Sequence, residues 1–539
     1  MFRRVAHSLG VRDGLLLCAC LFALTITIVY PSLRLLARAI LDWRMEVLLD
    51  GPGRAAVINT IVLSFASVAT AGIVGTTMAF VLTRYAFPGR SVLAGLAYLP
   101  LTLPPLVGVV AFYYVIGRDG FISLFFERML GLERFYPRGA IAILIIHTYS
   151  FYVFFYAMVG AALESMDRSQ IEAARTLGAS PMRVFFRVTV PLLRPPLVGA
   201  ALLTFMSSGA SFSAPLIFGE DFPMLSVRIY EETTQFNEAA ALTLTVALAA
   251  ISLLGIFLFR SGARVRGAAS KGVRVPMRSG PAKLLAGLGA LACMGVLLTP
   301  HLAIVFLSFV RHELWYAELI PRAFTLDNYR VIMQDPRAFA PIRNSVFMSA
   351  IAAGAALLVG LPAAYLIGRG RPGGRMVNLL VMIPWALPGT VIAMNLLVAF
   401  NDPWLPRQTI IWLLPLAYFV RNIPLLTRMA TAAIEPFDAT LIEAGRCHGM
   451  SPFGCFLRIV LPLLGPALIA ATALVFATSL GEFVASILLY RPTNIPIAVM
   501  INMQLRGSGI GSAFAYSVLL IIIVAASFLL VRRWSSRML

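Results

Sequence analysis

Two stretches of this chain carry polar and turn-forming residues at matched spacing. The first reads EAARTLGASPMRVFFRVTVPLLRPPL, from Glu172 to Leu197, and the second EAGRCHGMSPFGCFLRIVLPLLGPAL, from Glu443 to Leu468. Glu172 and Glu443, Gly178 and Gly449, Phe185 and Phe456, and Pro191 and Pro462 are each separated by 271 residues. An acid followed by small residues and a glycine has the chemistry of a contact surface. Neither stretch pairs a nucleophile with a base or groups His, Asp and Glu as a catalytic centre would. A polar loop repeated within an apolar chain implies two equivalent contact points for something in the aqueous phase.

A second set of candidates consists of polar residues inside apolar segments, where they are costly and therefore informative. Arg421 and Glu482 have opposite charge and are expected to neutralise each other as a buried pair, with a direct role towards a solute as the alternative. Ser207, Ser208, Ser211 and Ser213 lie in FMSSGASFSAPLIFG, with Ser211 271 residues before Glu482. Such hydroxyls either return hydrogen bonds to their own helix or line a pathway. Cys447, His448 and Cys455 have the residue types of a metal site, but Thr176, Leu177 and Val184 stand in their places in the first copy. No metal site is expected. Cys18, Cys20 and Cys293 are expected to pack as small hydrophobes.

The elements that position these residues follow from composition. Of 539 residues, 59% are hydrophobic and 13% charged, against about 25% charged in an ordinary soluble domain. The apolar segments reach the roughly 20 residues needed to cross a bilayer core. Spans are expected near 14–33, 55–83, 91–117, 140–163, 195–218 and 239–259, then near 284–310, 345–368, 376–400, 409–433, 466–489 and 512–531. The fold class is thus an all-α polytopic membrane protein of about 12 transmembrane helices in two parallel six-helix repeats. Span 91–117 contains Pro100, Pro104 and Pro105, whose freed backbone groups need neighbours, so it belongs inside the bundle.

The repeat extends beyond the loops. Asn59-Thr60 and Asn344-Ser345 open the second and eighth spans, and LPLTLPPLVGVV (Leu99 to Val110) matches IPWALPGTVIAM (Ile383 to Met394) at an offset of 284. The domains are expected at 1–259, with its loop at 164–194, and at 284–539, with its loop at 434–465. Residues 260–283, rich in Gly, Ser and Arg, read as a cytoplasmic linker. Six spans per half leave both halves pointing the same way, a parallel repeat about the membrane normal.

With both ends in the cytoplasm, the cytoplasmic loops hold nearly all of the net charge of +20, as the positive-inside rule requires. The basic character therefore reflects topology and contact with anionic membrane lipids, and nucleic-acid binding is not expected. The N-terminal apolar run lacks a small-residue cleavage site and reads as a retained first helix.

Within each loop the local signals agree. Glu172-Ala173-Ala174-Arg175 favours helix, Gly178 stands where a left-handed glycine ends one, and Ser180-Pro181 starts the next with an N-cap and a first-position proline. Ser451-Pro452 repeats that start. Pro191 and Pro462 are expected to bend the chain into the following span. A helix–turn–helix at the cytoplasmic surface results.

This loop resembles the EAA motif of the inner-membrane permeases of binding-protein-dependent type I ABC importers. That pattern is EAA, three residues, Gly, about nine residues, then I-x-L-P. Here the copies end V-T-V-P (Val188 to Pro191) and I-V-L-P (Ile459 to Pro462), and Gly445 replaces the third-position Ala. The resemblance implies that Glu172, Ala173, Ala174 and Gly178, with Glu443, Ala444, Gly445 and Gly449, contact two copies of a cytoplasmic ABC ATPase. It also implies a periplasmic or lipid-anchored substrate-binding protein, residence in a bacterial inner membrane and transport by alternating access. The two lysines, Lys271 and Lys283, lie in no phosphate-binding loop, so ATP and Mg are expected on the partner ATPase, with no cofactor on this chain. SFSAPLIFG, FTLDNYRVI and LLYRPTNIPIAVMI are most similar to the ferric-iron group. Thiamine, 2-aminoethylphosphonate and hexose-phosphate importers are the alternatives, and a 6+6 secondary transporter is the rival of another class.

Overall fold

A computed structural model describes residues 11–134, 136–166, 169–259, 275–276, 280–311, 323–401, 411–438, 440–507 and 509–538. Among the described residues ten helices are long and apolar enough to cross a membrane, and the pair Gly374–Ala386 and Gly389–Phe400, bent by 109°, makes an eleventh if taken as one broken span. In the region of the expected span 409–433 stands the helix Leu413–Ile434, which is not among these eleven. Arg421, Asn422 and Arg428 make it more polar than the others. Most of the expected linker lies outside the described residues. Its Val275–Pro276 pairs in parallel with Tyr85–Ala86, and the helix Gly280–Ser308 already begins at its end.

The compact units do not coincide with the sequence repeats. One unit comprises Met1–Trp43 with Phe324–Leu539, and the other Arg44–Ala323. Each repeat's first helix therefore packs on the other repeat. In the first unit, Asn395 Nδ2 donates to Ser32 Oγ at 3.0 Å, and Arg371 Nε lies 3.3 Å from Asp13 Oδ2. In the second unit, Tyr149 donates its hydroxyl to Leu297 O at 2.9 Å on the helix Gly280–Ser308. Sequence similarity marks the repeating order of helices, whereas packing follows complementary faces, so boundaries at 259 and 284 divide the chain differently from its contacts.

Each unit repeats one arrangement. Asn59 Nδ2 donates to Pro223 O at 3.0 Å, and Thr60 Oγ1 accepts from Leu225 N at 3.1 Å. In the other unit Asn344 Nδ2 donates to Ile495 O at 3.2 Å, and Ser345 Oγ accepts from Ile497 N at 2.8 Å. The two Asn-Thr/Ser pairs thus pin the helices Leu225–Thr234 and Ile497–Arg506 to the long second and eighth spans, Gly51–Arg84 and Pro336–Gly368.

The proline-rich third and ninth spans are broken helices. The third runs as Arg90–Leu96, a tight turn at Leu99–Thr102, then Pro105–Ile116. Pro104 and Pro388 cannot donate a backbone N–H, and the residue before each is extended. The carbonyls freed at the first break find partners: Tyr152 OH donates to Ala97 O at 2.8 Å and Tyr156 OH to Ala94 O at 3.0 Å. Both tyrosines project from the helix Gly139–Ser165.

Candidate functional site

Both repeated loops fold alike. The helices Ser169–Thr176 and Thr440–Cys447 are followed by Gly178 and Gly449, at φ +78° and +80°. Ala179 N donates to Ala174 O at 3.0 Å and Gly178 N to Arg175 O at 2.9 Å; the matching bonds in the second loop are Met450 N to Gly445 O at 3.1 Å and Gly449 N to Arg446 O at 3.0 Å. This is the left-handed C-terminal cap, for which glycine bears no Cβ penalty. The next helix starts at Pro181 or Pro452, with Gly454 N donating to Ser451 Oγ at 3.0 Å.

That second helix does not stop at the loop. It passes through a single wide turn, Phe185–Thr189 or Phe456–Val460, into the helices Val190–Gly209 and Leu461–Leu480. Val190 N bonds Phe185 O and Leu461 N bonds Phe456 O, five residues back. Pro191 and Pro462 have no N–H for the usual fourth-residue bond, and the widened turn absorbs that loss without a break. The expected bend into the span is therefore a continuous helix, Met182–Gly209 in the first copy and Phe453–Leu480 in the second.

Glu172, Ala173, Glu443, Ala444, Gly178 and Gly449 are exposed, and Ala174 is half-buried. Around them lie exposed apolar side chains: Leu177 at 88%, Met182 and Phe186 in the first loop, Phe453 and Leu457 in the second. Among the described residues no ion pair engages either glutamate. Gly445 is different. It is buried, and a Cβ there would lie 2.7 Å from Ile459 Cδ1 and 3.1 Å from Cys455 Sγ. Gly445 lets the two short helices approach. In the first loop Ala174 has Val188 at the position of Ile459, so each loop pairs a smaller residue with a larger one. Cys455 is buried in that contact, and His448 Nδ1 lies 2.9 Å from Ala444 O.

The polar interior differs between the units. Arg421 Nε lies 2.6 Å from Glu482 Oε2, with Glu482 7% and Arg421 36% exposed. Glu482 Oε1 also accepts from Ala485 N at 3.1 Å. The expected pair is formed. Beside it Asn422 Nδ2 donates to Ser479 Oγ at 3.1 Å, and Tyr418 OH shares a hydrogen bond of 2.7 Å with Ser486 Oγ.

In the other unit the hydroxyls converge on a residue that sequence reasoning missed. His147, 1% exposed, has Nδ1 at 3.0 Å from Ser67 Oγ and 3.1 Å from Ser208 Oγ, while Nε2 is 2.8 Å from Ser211 Oγ. Ser207 is half-buried and Ser213 is buried; neither bonds His147. A lone histidine in ILIIHTYSFY gives no signal of its own. Its only mark was position, since 271 residues later stands Tyr418, also buried and hydrogen-bonded.

Two matched loops, each rigidly continued into a span, recur in a chain whose whole architecture is doubled. The binding-protein-dependent transport system inner membrane component family matches residues 71–265 and again 356–539. The chain belongs to this family. It is a permease with two fused copies of the unit. Over 485 residues, 87% of the permease and 85% of the relative, it is 30% identical to the probable ABC transporter permease protein y4fN of Sinorhizobium fredii. It is 28% identical over 526 residues to the ferric transport system permease protein FbpB of Actinobacillus pleuropneumoniae, covering 93% of the permease and 75% of that protein. A shorter likeness, 32% over 189 residues, joins 33% of the permease to 81% of the molybdenum transport system permease protein ModB of Escherichia coli.

Proposed function

We propose that this permease carries ferric iron across a bacterial inner membrane, with both of its termini in the cytoplasm. A periplasmic or lipid-anchored binding protein delivers the cargo, and two copies of a separate ABC ATPase drive the cycle. The single observation that carries the transport role is the pair of loops at Glu172 and Glu443, alike in cap, glycine conformation and wide turn. Exposed apolar side chains beside acids that form no ion pair among the described residues suit insertion into a groove of another subunit. ATP and Mg belong to that subunit in this reading, and this chain holds no cofactor and no ATPase site.

The cargo reading is supported by similarity to the ferric FbpB permease over 93% of the chain, against 33% for the molybdenum permease. It is tested by reconstituting the permease with the ATPase and binding protein from its own operon and measuring ATP-dependent uptake. Saturable accumulation of ferric iron and none of molybdate supports it. Uptake of molybdate with no iron uptake overturns the cargo while leaving the permease role intact.

A further inference from the structure

The broken ninth span ends its first half at Ala386 and begins its second, Gly389–Phe400, after Pro388. The first N–H groups of such a half-helix have no intrahelical acceptor, and its end carries a partial positive charge. A Cβ on Gly389 would lie 2.9 Å from Arg421 Nη1 and 3.3 Å from Val484 Cβ. Glycine thus lets the guanidinium come against the opening turn of the helix. The next residue, Thr390, is fully buried, and its hydroxyl has no hydrogen-bond partner among the described residues.

Two positive groups therefore meet at one place, and Glu482 is the carboxylate paired there. It binds the Nε edge of Arg421 and the Ala485 N–H, leaving the Nη side of a guanidinium that is one-third exposed. One negative charge offsets one guanidinium, and among the described residues no second carboxylate is paired at the helix end. Broken transmembrane helices use such ends to hold anionic groups of a cargo. The first half has a broken span too but none of these side chains: Pro105, Leu106, Ser150 and Ser211 stand where the second half has Gly389, Thr390, Arg421 and Glu482. Pro105 cannot donate an N–H at all.

We propose that Gly389, Thr390 and Arg421 form a recognition site for an oxyanion carried through the permease, with Glu482 as the residue that positions the guanidinium. The oxyanion has two possible sources: a free oxyanion as cargo, or oxygen ligands travelling on a ferric ion. A bare cation is disfavoured at this site. The inference rests on the permease reading and takes either cargo.

The test uses the full chain in lipid nanodiscs, with thermal unfolding followed at constant ionic strength in chloride, molybdate, citrate and ferric citrate. Wild type is expected to show a saturable rise in melting temperature with an oxyanion over chloride. The response of R421Q/E482Q, in which no charge is left buried alone, is expected to need at least ten times the concentration. T390V should weaken the response several-fold. A shift with molybdate or citrate identifies the free anion as the source, and a shift with ferric citrate alone identifies the ligands of the metal. Equal shifts in chloride and every oxyanion, or a response that R421Q/E482Q retains, overturn the site. Co-purification of the ATPase with the same preparations separates the outcomes: association without an anion response removes this site only, and absence of association removes the coupling reading.

Discussion

The Nε2 atom of His147 lies 2.8 Å from the hydroxyl of Ser211, and its Nδ1 faces Ser67 and Ser208. One imidazole thereby ties together three helices of the unit. H147L removes the imidazole partner of all three hydroxyls, while Ser208 Oγ still lies within reach of Ser67 Oγ at 3.1 Å and Ser67 bonds Leu63 O. The expected loss is about 1 kcal/mol, because interhelical bonds in membranes have modest net worth. Thermal unfolding in nanodiscs measures it, and H147Q should recover part of the loss.

Arg421 and Glu482 predict a sharper contrast. R421Q alone leaves the nearly buried Glu482 carboxylate unpaired, a change that costs about 3–5 kcal/mol when the site is buried. R421Q/E482Q removes both charges and is expected to unfold within about 1 kcal/mol of wild type. Equal destabilisation of the single and double variants would show that the pair contributes through packing alone.

Gly445 and Ile459 predict compensation. G445A places a methyl against Ile459 Cδ1 and Cys455 Sγ, an overpacking of about 1 kcal/mol or more. It should weaken ATPase association several-fold. G445A/I459V recreates the Ala174 and Val188 pairing of the first loop and should restore it. Pull-down of the ATPase at fixed concentration reads both effects.

The tyrosines at the broken third span give a local prediction. Y152F and Y156F each remove the donor from a carbonyl, Ala97 O or Ala94 O, at the break after the helix Arg90–Leu96. Each should cost about 1 kcal/mol. Hydrogen exchange at Arg90–Leu96 should rise in both.

How far the sequence reached can be judged residue by residue. Gly178, Ser180 and their second-loop counterparts announced the caps because caps are local. Pro104 and Pro388 announced backbone disruption, but a single apolar stretch hid that each span divides in two. His147 stayed hidden since Ser67, Ser208 and Ser211 meet it only in three dimensions. Helix exchange between repeats was equally invisible. Ser32 and Asn395 are 363 residues apart, and no periodicity links them. Arg421 and Glu482 were legible because isolated opposite charges in apolar helices have few other resolutions. The approach of Arg421 to Gly389 was not, since it depends on the 109° bend.

The most direct measurement of the central claim is co-purification of the tagged permease with its neighbouring ATPase, comparing wild type with E172K/E443K. Both positions are exposed and carry no internal ion pair among the described residues, so charge reversal should leave the fold intact. The account predicts stoichiometric ATPase on wild type and loss of most of it on the double variant, with unchanged thermal unfolding of the permease. Undiminished association of the ATPase with E172K/E443K would contradict the assignment of these loops as its docking points.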